Sequence, residues 1–231
     1  MSASGAVVGT GVSVWRFGDP VAPLQDAVAR GAILAIPTES SYGLAVDPRH
    51  AGGVEAIYRL KRRAPRAALL VVAHDGSGLA TLGVDVTRPA ARRFLELGPA
   101  PLTAVLPLAR PLPASAGEAS LAVRIPADAR LRQLLAALGP LTATSANVSG
   151  EPPILELGAL HALLAGEDAW IVDGGVLPGG APSTLVDLRG TPQILRSGAF
   201  PAAQTLAWFG VSSASAGENS APPVENISEN A

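Results

Sequence analysis

Ala32-Ile33-Leu34-Ala35-Ile36-Pro37-Thr38-Glu39-Ser40-Ser41-Tyr42-Gly43-Leu44 begins as an apolar run and turns polar at its end. Residues 32 to 36 carry no charge and no polar alternation, as a strand inside a covered sheet requires. Pro37 has no N–H to offer a ladder and stops it. Hydroxyls and a carboxylate then gather where the strand ends. In open α/β sheets, crevices at strand ends are where ligands bind.

Helices and strands alternate on both sides of this stretch. Val12 to Phe17 is a short strand candidate. Asp19-Pro20 has the form of an N-cap with proline at the first helical position, and that helix ends at Gly31. Ala51 to Arg62 has the helical spacing of Val54, Ile57 and Leu60. Leu69 to Val72 reads as an interior strand. Pro89 to Leu97 reads as a helix, and Leu102 to Leu106 and Leu121 to Ile125 as strands. Asp128 caps an apolar helix to Leu138 that Gly139-Pro140 stops. Leu141 to Thr144 is a short strand entering Ser145-Ala146-Asn147-Val148-Ser149-Gly150. A helix over Leu155 to Leu164 and strands at Trp170 to Val172, Thr184 to Leu188 and Gln193 to Leu195 complete the reading. Several strands follow one another without a helix between them, so the α/β sheet is expected to be mixed.

Length and composition bound the class. The chain has 231 residues, enough for one well-buried domain, and 48% of them are hydrophobic. Only 4% are aromatic, so Ala, Leu and Val must fill the core. The absence of cysteine excludes disulfides, thiolate nucleophiles and cysteine metal sites. His50, His74 and His161 show no ligand spacing and are read as surface or loop-end residues. Met1 to Thr10 lacks the charge and apolar core of a secretory leader. No apolar run approaches a membrane span. A soluble, cytoplasmic protein without a membrane partner is expected. Residues 1–11 read as a flexible N-terminus, 12–211 as one domain and 212–231 as a disordered acidic tail. That tail holds Glu218, Glu225 and Glu229 of the 19 acidic residues and none of the 17 basic ones. The remainder is thus close to neutral, which argues against bulk nucleic-acid binding.

Polar residues recur at other strand ends. Pro101-Leu102-Thr103, Thr142-Ala143-Thr144-Ser145-Ala146-Asn147 and Pro182-Ser183-Thr184 repeat the pattern of Pro37 to Leu44. Any one of them is accounted for by turn chemistry. All four, with Val123-Arg124 and a basic cluster, suggest a polar small-molecule site. The cluster is Arg59-Leu60-Lys61-Arg62-Arg63-Ala64-Pro65-Arg66, and Lys61 is the only lysine of the chain. A compact ammonium among planar guanidiniums suits phosphate.

In order, these motifs read Pro-Thr-Glu-x-x-Tyr-Gly-Leu, Lys-x-Arg, Pro-Leu-Thr, Val-Arg-x-Pro, Thr-Ser-Ala-Asn-x-Ser-Gly, Pro-Ser-Thr-x-Val-Asp and Leu-Arg-x-Gly. The series resembles the YrdC family of L-threonylcarbamoyladenylate synthases, over about Val21 to Gly198. The resemblance implies a single α/β domain, with a twisted mixed sheet flanked by helices around a concave cavity. It implies nucleotidyl transfer, in which ATP, L-threonine and bicarbonate or CO2 yield threonylcarbamoyl-AMP and pyrophosphate. A threonylcarbamoyl transferase complex then carries the group to tRNA, itself a candidate partner.

The same resemblance implies roles for residues. Lys61 and Arg63 would hold the triphosphate, with Mg2+ on the phosphate oxygens and no metal site in the protein. Tyr42, Thr103, Ser145, Asn147 and Arg196 would contact the nucleotide. Arg124 would clamp threonine's carboxylate, with Thr38 and Ser183 on the amino acid. Asp187 is an alternative, purely structural partner for Arg196, and Glu39 is read as orienting backbone donors in its turn. The chain departs from the family at Ser40-Ser41, at Ala64-Pro65 with Ala68-Leu69, at Ala100 and at Asp128. The rival readings are a non-catalytic RNA-binding paralogue and a carbamoyl-adenylate domain like that of hydrogenase maturation proteins. Near-neutral charge counts against the first, and the lack of cysteine against the second.

Overall fold

The computed structural model describes residues 11–62 and 67–211. Arg63, and nearly all of the N-terminal segment and acidic tail, lie outside the described residues. The expectations placed on them are not addressed by the fold.

The described elements are β1 (Val12–Arg16), α1 (Ala22–Ala29), β2 (Ile33–Pro37), β3 (Tyr42–Ala45), α2 (Ala51–Leu60), β4 (Val71–Val72), α3 (Gly76–Thr81) and α4 (Pro89–Leu97). They continue as β5 (Leu102–Pro107), a short 3-10 turn at Pro113–Ser115, β6 (Ser120–Arg124), α5 (Ala129–Leu138), β7 (Leu141–Thr142) and β8 (Thr144–Ser145). The last are α6 (Leu157–Leu163), β9 (Ala169–Asp173), β10 (Thr184–Asp187), β11 (Gln193–Arg196) and α7 (Ala202–Trp208).

The expected mixture of strand directions is present and is shared between two sheets. One has the order β1-β9-β2-β3-β8, the other β11-β10-β5-β6-β4-β7. In the first, β1 and β2 run parallel to β9, while β3 is antiparallel to both β2 and β8. In the second, β5 runs antiparallel to β6 and parallel to β10.

Every residue of β2 is buried, because each face has its own cover. Ile33 and Ala35 join the main core with Leu44, Val71, Leu102 and Val123, drawn from both sheets. Leu34 and Ile36 point the other way, into a second core with Leu24 of α1 and Leu131 and Leu135 of α5. This two-faced burial is why the strand reads as a continuous apolar run.

The segment Leu141–Ser145 joins the two sheets. Its first half pairs with β4 in one sheet and its second half with β3 in the other. Thr142 holds the crossing, accepting from the Val46 N–H through Oγ1 and donating its own N–H to the Val46 carbonyl. A short polar strand therefore lies at the seam, with the ends of β2, β3 and β6 nearby.

Helix caps follow the chemistry in the sequence, with one correction. Asp128 caps α5 by accepting from the Arg130 and Leu131 N–H groups, and Gly139 ends the helix at a φ of 86°. Asp19 caps no helix. Its carboxylate accepts from the Arg16 N–H and closes the turn after β1, so α1 starts later, with Pro23 in its first turn. His50 is the N-cap of α2, its ring nitrogen accepting from the Gly53 N–H. Among the described residues no helix is long and apolar enough to cross a membrane.

Candidate functional site

A cavity of about 310 Å3 opens between the ends of the two sheets. One wall is the β2–β3 turn, Thr38 to Gly43, and another is β6 and its exit, Arg124 and Pro126. Ser145 closes the seam side, Pro152, Pro153 and Leu155 follow it, and Gly179, Gly180, Pro182 and Ser183 come from the loop before β10. Leu70, Val72, Leu131 and Ala143 make the floor apolar. This size lies at the lower end of the range for small-molecule sites, and the mix of apolar floor and few polar groups is typical of them.

Five of the residues expected at a site line this cavity: Thr38, Tyr42, Arg124, Ser145 and Ser183. Thr38 closes its own turn, its hydroxyl donating to the Ser41 carbonyl at 2.6 Å. Tyr42 is buried, and its hydroxyl donates to the Gly175 carbonyl at 2.8 Å and accepts from the Gly174 N–H at 3.0 Å. It therefore ties the turn to the glycine-rich loop and forms wall rather than a free stacking surface. Burial raises the Tyr42 pKa and the Asp173 carboxylate adds to this, against the Gly174 hydrogen bond.

Of the other expected residues, Lys61, Asn147, Thr103 and Arg196 stand one layer behind. Lys61 is only 1% exposed. Its ammonium donates to the Ser145 carbonyl at 2.6 Å, the Asn147 carbonyl at 3.2 Å and Asn147 Oδ1 at 2.9 Å. Asn147 Oδ1 also accepts from the Ser145 hydroxyl at 2.7 Å, while Nδ2 donates to the Glu151 carbonyl. The single lysine thus fixes the curvature of the Ser145–Asn147 segment, a task for a compact point charge. Thr103 sits behind Ser183, their hydroxyls 2.7 Å apart.

Two arginines make the site electropositive. Arg124 is 8% exposed and pairs through Nη2 with the Glu39 carboxylate, while its Nε is buried without a partner. Arg196 donates Nη2 to the Ser183 carbonyl at 2.9 Å, and its Nε and Nη1 are buried and unpartnered. Asp187 is not its partner, since that carboxylate pairs with Arg189 at 2.7 Å. Burial, then the nearby Arg124 guanidinium, holds the Arg196 pKa below the ordinary arginine value. Buried N–H groups on adjacent cations favour an anionic guest. Among the described residues no three His, Cys, Asp or Glu side chains gather as a metal-holding group.

Glu39 proves more central than its sequence context suggests. Besides Arg124 it accepts from the Ala127 N–H, so it orients a backbone donor, but in the β6–α5 loop rather than in its own turn. Gly179, Gly180 and the paired prolines were not expected at the site, and nothing chemical in those residues marks them. Their neighbourhood to Pro182-Ser183 and to Asn147 was the available signal.

The profile of the Sua5/YciO/YrdC family, described as telomere recombination, matches residues 26–198. The chain belongs to this family. Threonylcarbamoyl-AMP synthase of Chromohalobacter salexigens is 38% identical over 178 residues, covering 74% of this chain and 94% of that protein. Sua5 of P. abyssi, solved in complex with L-threonine, superposes with a TM-score of 0.74 at 26% identity, covering 86% of this chain. The chain spans 61% of the length of that Sua5. E. coli YciO shares the fold with a TM-score of 0.70 at 21% identity, covering 86% of this chain and all of that one.

Proposed function

We propose that this Sua5/YciO/YrdC-family chain is an L-threonylcarbamoyladenylate synthase. It would act as a nucleotidyltransferase, joining ATP, L-threonine and bicarbonate or CO2 into threonylcarbamoyl-AMP and releasing pyrophosphate. The product would pass to a threonylcarbamoyl transferase complex that modifies tRNA. The observation that carries the reading is the meeting of Arg124, Thr38, Ser183 and Ser145 on one cavity backed by a second buried guanidinium.

The chemistry asks for no protein nucleophile. Threonine's amine captures CO2 as a carbamate and sheds a proton. A carbamate oxygen then forms a bond to the α-phosphorus, as the bond from that phosphorus to the bridging oxygen of pyrophosphate breaks. Catalysis is positioning and charge stabilisation. Arg124 would hold the threonine carboxylate, with Thr38 and Ser183 beside it. Ser145, Asn147, Thr103 and Tyr42 would shape the nucleotide side, and Arg196 would face phosphate or ribose. Lys61 and Arg63 would meet the triphosphate. For Lys61 that means exchanging one of its present carbonyl or carboxamide acceptors for a phosphate oxygen. Mg2+ would arrive on the phosphate oxygens, as part of the substrate.

The test is pyrophosphate release from ATP with all substrates present and with each omitted in turn. Release that needs both threonine and bicarbonate supports the reading. Release indifferent to threonine, or none from folded protein, overturns it.

A further inference from the structure

Glu39 lies on the β2–β3 turn of one sheet, but its carboxylate reaches the β6–α5 loop of the other. One oxygen takes Arg124 Nη2 and the second takes the Ala127 N–H. A carboxylate standing in for a ligand would be expected to take the guanidinium fork with both oxygens. Glu39 instead engages one guanidinium nitrogen and spends its other oxygen on the backbone. Arg124 Nε keeps no hydrogen-bond partner of its own. We propose that Glu39 is a positioning residue, which sets the Arg124 side chain and the β6–α5 loop so that Arg124 presents its remaining N–H groups to the carboxylate of the amino-acid substrate.

Charge and topology both support this assignment. Arg124 and Arg196 stand close enough for one guanidinium to disfavour the charge on the other. Glu39 forms an ion pair with the first of these arginines, Arg124. Its negative charge offsets the repulsion between the two guanidiniums. Thr38 and Ser40, on either side of Glu39, also line the cavity, as do Arg124 and Pro126 beyond the link. The contact therefore clasps two walls of one site, and its loss would let the arginine swing among rotamers rather than open the core.

This inference rests on Arg124 receiving the amino-acid carboxylate, and the experiment separates the two claims. L-threonine and ATP binding are measured by calorimetry for the full chain, for Glu39→Gln, for Arg124→Lys and for the double variant. Glutamine keeps an acceptor for the Ala127 N–H but removes the charge. The expected result is an L-threonine Kd raised about tenfold in Glu39→Gln with the ATP Kd within twofold of wild type. Glu39→Asp, which restores the charge at shorter reach, is expected to fall between. In the Arg124→Lys background, Glu39→Gln should add little, because the two residues act as a unit. Unchanged or tighter threonine binding in Glu39→Gln would overturn the proposal, the tighter case meaning that Glu39 competes for Arg124. Equal loss of threonine and ATP binding, or full additivity with Arg124→Lys, would reduce Glu39 to a structural contact and overturn it too. If the wild-type chain binds no threonine, or Arg124→Lys binds it as wild type does, the reading of Arg124 fails first and the proposal falls with it.

Discussion

Gly198→Ala adds one methyl group at a place where nothing can yield cheaply. A Cβ there would stand 2.2 Å from the Pro182 carbonyl oxygen, 2.5 Å from Ser183 C and 2.6 Å from Thr184 N. All three are backbone atoms, so no rotamer change relieves them. Restoring ordinary contact demands a shift of roughly 1 Å. That shift passes through the bonds that hold this corner: Gly198 N–H to Thr184 Oγ1 at 2.9 Å, Ala199 N–H to the Pro182 carbonyl at 2.8 Å and Arg196 Nη2 to the Ser183 carbonyl at 2.9 Å. Overpacking of this kind costs about 1–3 kcal/mol, and each hydrogen bond lost adds about 1 kcal/mol. A total near 4 kcal/mol corresponds to a Tm lower by about 10 °C for a domain of this size. Because Ser183 and Arg196 both move, threonine affinity is expected to fall at least tenfold. Thermal melts, urea titrations and calorimetry read these effects. Gly190→Ala is the control, since its Cβ would meet nothing within 4 Å, and it should stay within about 0.5 kcal/mol of wild type. A Gly198→Ala protein less than about 1 kcal/mol destabilised, with wild-type threonine affinity, would refute the packing argument.

Two further predictions concern charge. Lys61→Met strips the ammonium from Ser145 O, Asn147 O and Asn147 Oδ1, and should cost about 3 kcal/mol in urea unfolding. Lys61→Arg should fail to restore the loss, because a planar fork cannot occupy a point-charge site. Asp128→Ala removes the cap of α5 and should cost about 1 kcal/mol near neutral pH. Burial alone would lift the Asp128 carboxyl, but the Leu131 and Arg130 N–H groups and the Arg130 side chain outweigh it and hold its pKa below the usual carboxylate value. A depressed carboxylate contributes its stability in full above the unfolded pKa of about 4, and loses it as pH falls through the folded pKa. The gap between wild type and Asp128→Ala should therefore be constant from about pH 5 to 8 and narrow below about pH 4. A gap that widens on acidification would contradict this.

Long or fully covered elements were legible in the sequence. Pro89–Leu97 carries its own proline start, and Ile33–Ile36 its unbroken apolar run, so both were placed closely. Tyr42–Ala45 was not read as a strand, because four residues behind a polar turn give no period to follow. The split into two sheets was equally hidden. It depends on the crossing at Ala143, which a run of Thr and Ser residues does not announce. At the site, the motif order named five side chains that line one cavity, but gave nothing of their depth. The arginines around Lys61 suit either phosphate or a solvated helix end, and neither reading foretells that Lys61 is buried with its ammonium on the Ser145 carbonyl. The role of Glu39 is hidden because its partners, Arg124 and Ala127, are 85 and 88 residues away, a separation no local pattern reveals.

The central claim is that this cavity makes a mixed anhydride from threonine, bicarbonate and ATP. The most direct measurement follows carbon-13 bicarbonate into an adenylate by mass spectrometry, alongside pyrophosphate release, for wild type and Arg124→Gln. The account predicts labelled threonylcarbamoyl-AMP in equal amount to pyrophosphate, and at least a tenfold loss in the variant at subsaturating threonine. Pyrophosphate without labelled adenylate, or no product from folded wild-type protein, would contradict it.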